Sequence, residues 1–401
     1  MKPVILIFTH YYVPGYKAGG PLRSIENLCS RLAEHFDFLI LTSDRDIGDS
    51  SPYPQIDTGL WVSLHPSVKV MYLPHSRWRV MQFAKALRGV HYDLMYLNSF
   101  FDMEFTQAAL FARSLGLIER CPVILAPRGE FSAGALSQKR LKKTVFIALV
   151  RWLQLYKKLT WQASTELEAQ DIQRNLALSD GSDGRVVIGG NISVAADIVP
   201  NRRVKTHIRQ VQKGDAGVRV CFLSRISQKK NLAGALDILK GVKVQTTFSI
   251  YGPIEDEAYW ASCQAAIAKL PPNISVVYCG QLAHAEVVEA LAAHDVFLFP
   301  TKGENYGHVI HEALTAGLVL LISQETPWRL LAEKHIGWDL PLAALSEFSN
   351  RIDDYATWTL EQRASAADAA RNYAADVADS SLPILANIEM FNTALKNRNW
   401  H

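Results

Sequence analysis

Several classes are excluded by what this 401-residue chain lacks. Its five cysteines, Cys29, Cys121, Cys221, Cys263 and Cys279, form no Cys-x-x-Cys pair. An odd, scattered set reads as free thiols in a reducing compartment, most of them filling cores. No uncharged apolar run approaches the roughly 18 residues that a membrane-spanning helix requires. The apolar stretch Val4–Phe8 is too short for a signal peptide and His10 follows at once, so a cytoplasmic location is expected. A dominant charge is also missing. With 42 Lys and Arg against 39 Asp and Glu, the net charge of +3 gives no reason to expect nucleic acid as partner. The first strand-like run is followed neither by G-x-G-x-x-G nor by a Walker lysine pattern, which disfavours a dinucleotide-dependent oxidoreductase. No H-E-x-x-H occurs. His308 and His311 stand three apart on one helix with no further ligand in view, so no metal is expected.

What is present is an ordinary globular composition, 49% apolar and 20% charged, long enough for two domains. Short apolar runs at Val4–Thr9, Phe38–Thr42, Val68–Leu73, Leu94–Leu97 and Val123–Ala126 read as buried strands. Helical periodicity falls between or after them, at Ser24–His35, Phe105–Leu115 and Leu141–Lys158. A break at about 189–217, with Gly189-Gly190-Asn191, Pro200 and the polar run Lys205–Gly217, reads as a linker. The alternation then restarts. Strands are expected at Val220–Leu223, Phe248–Tyr251, Val276–Tyr278, Val296–Pro300 and Val319–Ile322. Helices are expected at Asn231–Leu239, Ala258–Leu270, Ala285–Ala293 and Gly307–Ala316, and the tail from Leu360 to Lys396 is helical in pattern. Strand–helix alternation implies parallel sheets covered on both faces, with ligands at the carboxyl ends of the strands.

The strongest chemical signal is Pro300-Thr301-Lys302-Gly303-Glu304-Asn305-Tyr306-Gly307-His308-Val309-Ile310-His311-Glu312. A strand ends, a loop follows, and Gly307 opens a helix whose free backbone N–H groups suit a diphosphate. Glu304 in the loop can accept hydrogen bonds from a polyol. Glu312, further along the helix, is too deep to be a cap and can face a ribose. An ordinary loop–helix junction with two exposed carboxylates fits the spacing equally well. A second strand end carries Leu223-Ser224-Arg225-Ile226-Ser227-Gln228-Lys229-Lys230-Asn231. There Arg225, as a fork, and Lys230, as a point charge, can neutralise a departing diphosphate; a solvated basic turn is the alternative. Gly19-Gly20-Pro21, after the first strand, lets backbone approach a ligand closely.

Together these segments resemble the retaining glycosyltransferases of family 4. Glu304 and Glu312 match that family's Glu-x7-Glu motif, Arg225 and Lys230 its basic pair, and Gly19-Gly20 its first glycine loop. Tyr251-Gly252-Pro253, Ala163-Ser164-Thr165-Glu166-Leu167-Glu168 and Thr326-Pro327-Trp328 resemble further segments in the same order. The resemblance implies an α/β fold of the GT-B type, two Rossmann-like domains facing across a cleft. The expected boundaries are 1–195 for the acceptor domain, 196–380 for the nucleotide-sugar domain, and 381–401 for a helix crossing back to the first. It implies that Arg225 and Lys230 hold the diphosphate of a UDP- or GDP-linked sugar. Gly19, Gly20, Gly252 and the backbone of Gly307, His308 and Val309 would assist them. Glu304 would contact the transferred sugar and Glu312 the ribose. It further implies a metal-independent hexosyl transfer with retention, without cofactor, to a glycan or lipid-linked glycan in polysaccharide and cell-envelope biosynthesis. Where members of the family often carry a histidine, this chain has Ala126-Pro127-Arg128-Gly129-Glu130. Arg128 would bind donor sugar or acceptor, or form a structural pair with Glu130.

Three further readings bear on function. Asp44-Arg45-Asp46 has the form of a metal-binding Asp-x-Asp but lies far from the phosphate motifs. The stretch between Glu130 and Glu166 has no acidic residue. It carries Lys139, Arg140, Lys142, Lys143, Arg151, Lys157 and Lys158, interleaved with Phe146, Leu149, Val150, Leu153 and Tyr156. Such a segment, 139–158, either lies on an anionic membrane surface, making the protein peripheral, or packs on a core with a solvated basic face. The competing functions are a sugar-nucleotide epimerase on the same fold and a non-catalytic nucleotide-sugar-binding protein.

Overall fold

The computed structural model describes residues 2–137, 142, 143, 145–147, 156, 159–176, 190–200 and 217–396. The chain divides into two compact units, 1–200 with 380–401, and 201–379.

The first unit is built on an eight-stranded sheet. Its strands are β1 (Val4–Phe8), β2 (Asp37–Ser43), β3 (Trp61–His65), β4 (Val68–Leu73), β5 (Leu94–Asn98), β6 (Val123–Ala126), β7 (Leu159–Ala163) and β8 (Gly190–Val194). The order is β3-β4-β2-β1-β5-β6-β7-β8, and every neighbouring pair is parallel except β3–β4. Helices α1 (Gly20–Leu32), α2 (Arg79–Ala86), α3 (Ala108–Ser114), α4 (Ala133–Ser137) and α5 (Glu166–Leu176) accompany it, with a π-turn at Met103–Gln107 leading into α3. The alternation of β1 sorts its side chains between two cores. Leu6 and Phe8 join Leu41, Met95 and Phe105 on one face; Ile5 and Ile7 join Ile25, Leu28 and Phe38 on the other.

The second unit has six parallel strands: β9 (Val218–Leu223), β10 (Thr246–Tyr251), β11 (Ile274–Gly280), β12 (Val296–Phe299), β13 (Val319–Ser323) and β14 (Gly337–Leu340). Their order is β11-β10-β9-β12-β13-β14. Its helices are α6 (Leu232–Leu239), α7 (Glu257–Ile267), α8 (Val287–Ala292), α9 (His308–Ala316), α10 (Leu345–Ala356) and α11 (Leu360–Asp379). The last helix, α12 (Leu382–Lys396), belongs to the first unit. There Phe391 packs on Phe36, ring centroids 5.2 Å apart, and Asn387 donates to the Ala196 carbonyl at 3.0 Å.

One expectation changes. Gly190–Val194, read as the start of a linker, is instead the edge strand β8 on β7; Gly189 and the run 201–216 lie outside the described residues. Of the five thiols, Cys29, Cys121, Cys221 and Cys263 are buried, as expected of most of them, and Cys279 is exposed because β11 is an edge strand with one open face. Most of segment 139–158 also lies outside the described residues. Of the rest, Lys142 is exposed, Lys143 lies 4.8 Å above the Phe101 ring, and Tyr156 is buried. Among the described residues, no helix is long and apolar enough to cross a membrane.

Candidate active site

In each sheet the strand order reverses at one point, between β9 and β12 in the second unit and between β1 and β5 in the first. Loops leaving adjacent strands there run to opposite sides and leave a crevice at the carboxyl ends.

In the second unit the loops after β9 and β12 meet. Lys230 forms a direct ion pair with Glu304, and only 14% and 11% of the two side chains is exposed. Three backbone contacts set this approach. Lys302 N donates to the Lys229 carbonyl at 2.9 Å, Glu304 N to Glu325 O at 2.9 Å, and the Asn231 side-chain amide to Pro300 O at 2.8 Å. Asn231 itself sits at φ 60, a left-handed conformation that Asn tolerates better than most residues. Gly307, at φ 82, turns the chain into α9 in the left-handed region that favours glycine. Helix α9 begins at His308, so its amino end follows this loop directly. Trp328, buried, donates its indole N–H to the Tyr306 carbonyl at 2.6 Å and braces the loop from behind.

Arg225 stands on a second bracket, at the carboxyl end of β9. The loops after β9 and β10 continue the sheet by an isolated Ile226–Ile254 bridge, with Ile226 N donating to Pro253 O at 2.8 Å. Gly252, at φ 129, makes that possible: a Cβ would lie 1.9 Å from the Ser224 carbonyl oxygen. Arg225 emerges partly exposed and reaches Glu255 at 2.9 Å. Glu312, on the second turn of α9, lies 3.4 Å from His284 Nδ1 and is partly exposed. His311 faces the other way. It is buried against α11, 3.1 Å from the Ala374 carbonyl, and burial lowers its pKa to about 4.

In the first unit Gly19, at φ 67, precedes α1, and Gly20 is its first residue. Asp46 shapes the preceding loop, its carboxylate accepting from Tyr16 N at 2.7 Å and Lys17 N at 3.1 Å. Asp44 pairs with Arg45 at 2.8 Å. The Asp-x-Asp carboxylates are therefore engaged in loop structure, and among the described residues no group of three or more His, Cys, Asp or Glu is arranged to hold a metal ion.

Arg128 corrects one reading. It does not pair with Glu130, whose carboxylate takes Ser99 Oγ at 2.6 Å and the amides of Phe100 and Phe101 at 2.6 and 3.0 Å. Burial raises the Glu130 pKa, and these donors oppose the shift. Arg128 is instead buried and bonded at every nitrogen: Nη1 to Asp197, Nε to Asn98 Oδ1 at 2.8 Å and Nη2 to the Tyr96 hydroxyl at 2.8 Å. Burial alone would lower its pKa; the Asp197 charge outweighs this and holds it protonated. Glu168 clamps the same corner, accepting from Gly129 N at 2.5 Å and Ser164 N at 2.8 Å.

Sequence reasoning thus named Lys230, Glu304, Arg225 and Glu312 but missed the side chains that hold them, Glu255 and His284, and the Arg128 partner Asp197. Glu255 and Asp197 lie at loop positions with no spacing signal, and His284 opens a short 3₁₀ turn.

Comparison with known proteins adds the following. Residues 204–372 match the family model described as Glycosyl transferases group 1. No curated protein matches the chain in sequence. Among solved structures, the chain is similar to Anabaena HepE in complex with UDP and glucose, at 19% identity and TM-score 0.66, covering 98% of this chain and 99% of that one. It is also similar to sucrose-phosphate synthase from Thermosynechococcus elongatus, at 14% identity and TM-score 0.69, covering 99% and 100%. A third is WaaG, a glycosyltransferase involved in lipopolysaccharide biosynthesis, at 17% identity and TM-score 0.60, covering 96% and 99%. The fold is GT-B, with two Rossmann-like units. Within it, residues 204–372 carry the glycosyl transferases group 1 match.

Proposed function

We propose that the protein is a retaining glycosyltransferase that moves a hexosyl group from a nucleotide sugar to a glycan or lipid-linked glycan acceptor. The observation that carries the reading is the Lys230–Glu304 pair at the strand-order reversal, beside the amino end of α9. A cation and a carboxylate beside the positive end of a helix dipole suit a sugar diphosphate.

In this reading the acceptor hydroxyl forms a bond to the anomeric carbon as the bond from that carbon to the diphosphate breaks. The hydroxyl proton passes to the departing phosphate oxygen. Arg225 and Lys230 neutralise the charge that develops there, without a metal, and the amides from Gly307 to Val309 assist. Glu304 orients the sugar hydroxyls and Glu312 the ribose. The first unit serves the acceptor side. UDP is preferred to GDP as carrier because HepE, of the same fold, holds UDP and glucose. A role in polysaccharide or cell-envelope assembly, at the inner face of the membrane, is supported by the basic residues of segment 139–158 and by the likeness to WaaG.

The test is incubation with UDP- and GDP-hexoses and lipid-linked or oligosaccharide acceptors, following release of nucleoside diphosphate and the anomeric signal of the product by NMR. Release coupled to a product of unchanged anomeric configuration is expected. An inverted product, or an epimerised nucleotide sugar with no transfer, overturns the reading.

A further inference from the structure

Two neighbouring strand ends in the first unit leave the sheet through left-handed residues that are not glycine, Ser99 at φ 84 after β5 and Arg128 at φ 58 after β6. Non-glycine residues persist in that region only where surrounding bonds over-determine them. Here they turn the Arg128 guanidinium inward, onto Asn98, Tyr96 and Asp197, rather than outward to solvent.

Asp197 lies beyond β8, in the stretch Ala195–Pro200, and uses its other oxygen on α1. The buried Ser24 hydroxyl donates to Asp197 Oδ2 at 2.7 Å and lies 3.1 Å from the Gly20 carbonyl. Asn27, one turn on, donates to Ile198 O at 3.0 Å. The stretch itself is fixed by Gln162, which donates to Ala195 O at 2.9 Å, and by Asn387 of α12. Tyr96 closes the chain, donating to Gln162 Oε1 at 2.6 Å. A continuous buried polar relay therefore runs from the β6 end to the first turn of α1, where Gly19 and Gly20 lie. Helix α1 has no side-chain cap of its own at Gly19, and this relay is bonded to its first two turns.

We propose that Asp197 and Ser24 are positioning residues for the transfer site. Through them the buried Arg128 cation fixes the first turn of α1 and so the Gly19–Gly20 backbone. Arg128 acts from inside the fold and touches no substrate. The functional part rests on the glycosyltransferase reading; the placement of α1 does not.

The test compares the full-length wild type with Ser24→Ala, Ser24→Thr and Asp197→Asn by amide hydrogen exchange and steady-state kinetics. In Ser24→Ala and Asp197→Asn, amides of residues 23–28 should exchange at least about tenfold faster, with strands β9 to β14 unchanged. Ser24→Thr, which keeps the hydroxyl, should restore wild-type exchange. Turnover should fall about tenfold in the same two variants with donor KM little changed, and recover in Ser24→Thr. Unchanged exchange at 23–28 in both variants overturns the proposal. So does exchange accelerated equally throughout the first unit, since that marks a purely structural pair. If the wild type transfers no sugar, the function above fails while the exchange data still decide the placement.

Discussion

Lys230 and Glu304 form an ion pair across the loops that follow β9 and β12, the two strands between which the sheet order reverses. A largely buried pair is costly to break from one side, because the remaining charge is left unpaired. Glu304→Ala and Lys230→Ala should each lower transfer by at least about 100-fold. Each should also destabilise the second unit by a few kcal/mol, about 3. A double substitution that removes both charges should recover much of the stability and none of the activity. Steady-state assays and urea unfolding of the three variants check this.

Arg225 behaves differently because its bond to Glu255 is partly exposed, and such pairs contribute about 0–1 kcal/mol. Arg225→Ala should leave the unfolding midpoint nearly unchanged. It should weaken binding of a nucleoside diphosphate by about 10-fold or more, the loss of one hydrogen bond to a charged group. Glu255→Gln removes the competing carboxylate and should strengthen binding a few-fold. Isothermal titration calorimetry with UDP and GDP measures both.

Gly252 is the pivot of the bracket that carries Arg225. An added Cβ would sit 1.9 Å from the Ser224 carbonyl oxygen, in a backbone region that favours glycine. Gly252→Ala should destabilise the protein by about 1–3 kcal/mol or more, the usual range for overpacking. It should also reduce nucleotide affinity, although residue 252 adds no charge. A variant as stable as wild type would remove the bracket from the account.

His311 makes stability depend on pH. Its folded pKa, about 4, lies below the ordinary value because burial disfavours the imidazolium, and the nearby His308 adds to this while the Ala374 carbonyl opposes it. The unfolded chain therefore binds the extra proton between about pH 6.5 and 4. Stability from this residue is full above that window and is lost as pH falls through it, by up to about 3 kcal/mol. His311→Gln, which can still donate to Ala374 O, should flatten that part of the curve. Parallel slopes for variant and wild type in urea unfolding between pH 7 and 4.5 would contradict it.

The sequence was most legible where burial is two-sided. The run Val123–Ala126 coincides with β6 and Leu94–Leu97 falls within β5, because strands covered on both faces read as unbroken apolar stretches. Strands with polar content were not legible. In β7 the buried Gln162 interrupts the run and is satisfied by Tyr96 and Ala195. The exposed edge strand β3 and the four-residue β14, with Asp339 inside it, carry too little apolar pattern. The site divides in the same way. Glu304 and Lys230 stand at strand ends that the apolar runs mark. The bonds of Arg128 to Asp197 join residues 69 apart, a separation that local spacing does not encode. Its left-handed backbone, which aims the side chain inward, has no signature beyond the glycine that follows.

The central claim is that the second unit binds a nucleotide sugar at the Lys230–Glu304 crevice. The most direct measurement is the unfolding temperature of the protein with saturating UDP, GDP, ADP, CMP and dTDP sugars, repeated on Arg225→Ala and Lys230→Ala. A ligand that binds only the folded state raises that temperature with its excess over the dissociation constant. The account predicts a rise with UDP-linked sugars that both variants lose. No rise with any nucleotide sugar, or a rise that both variants keep, would contradict it.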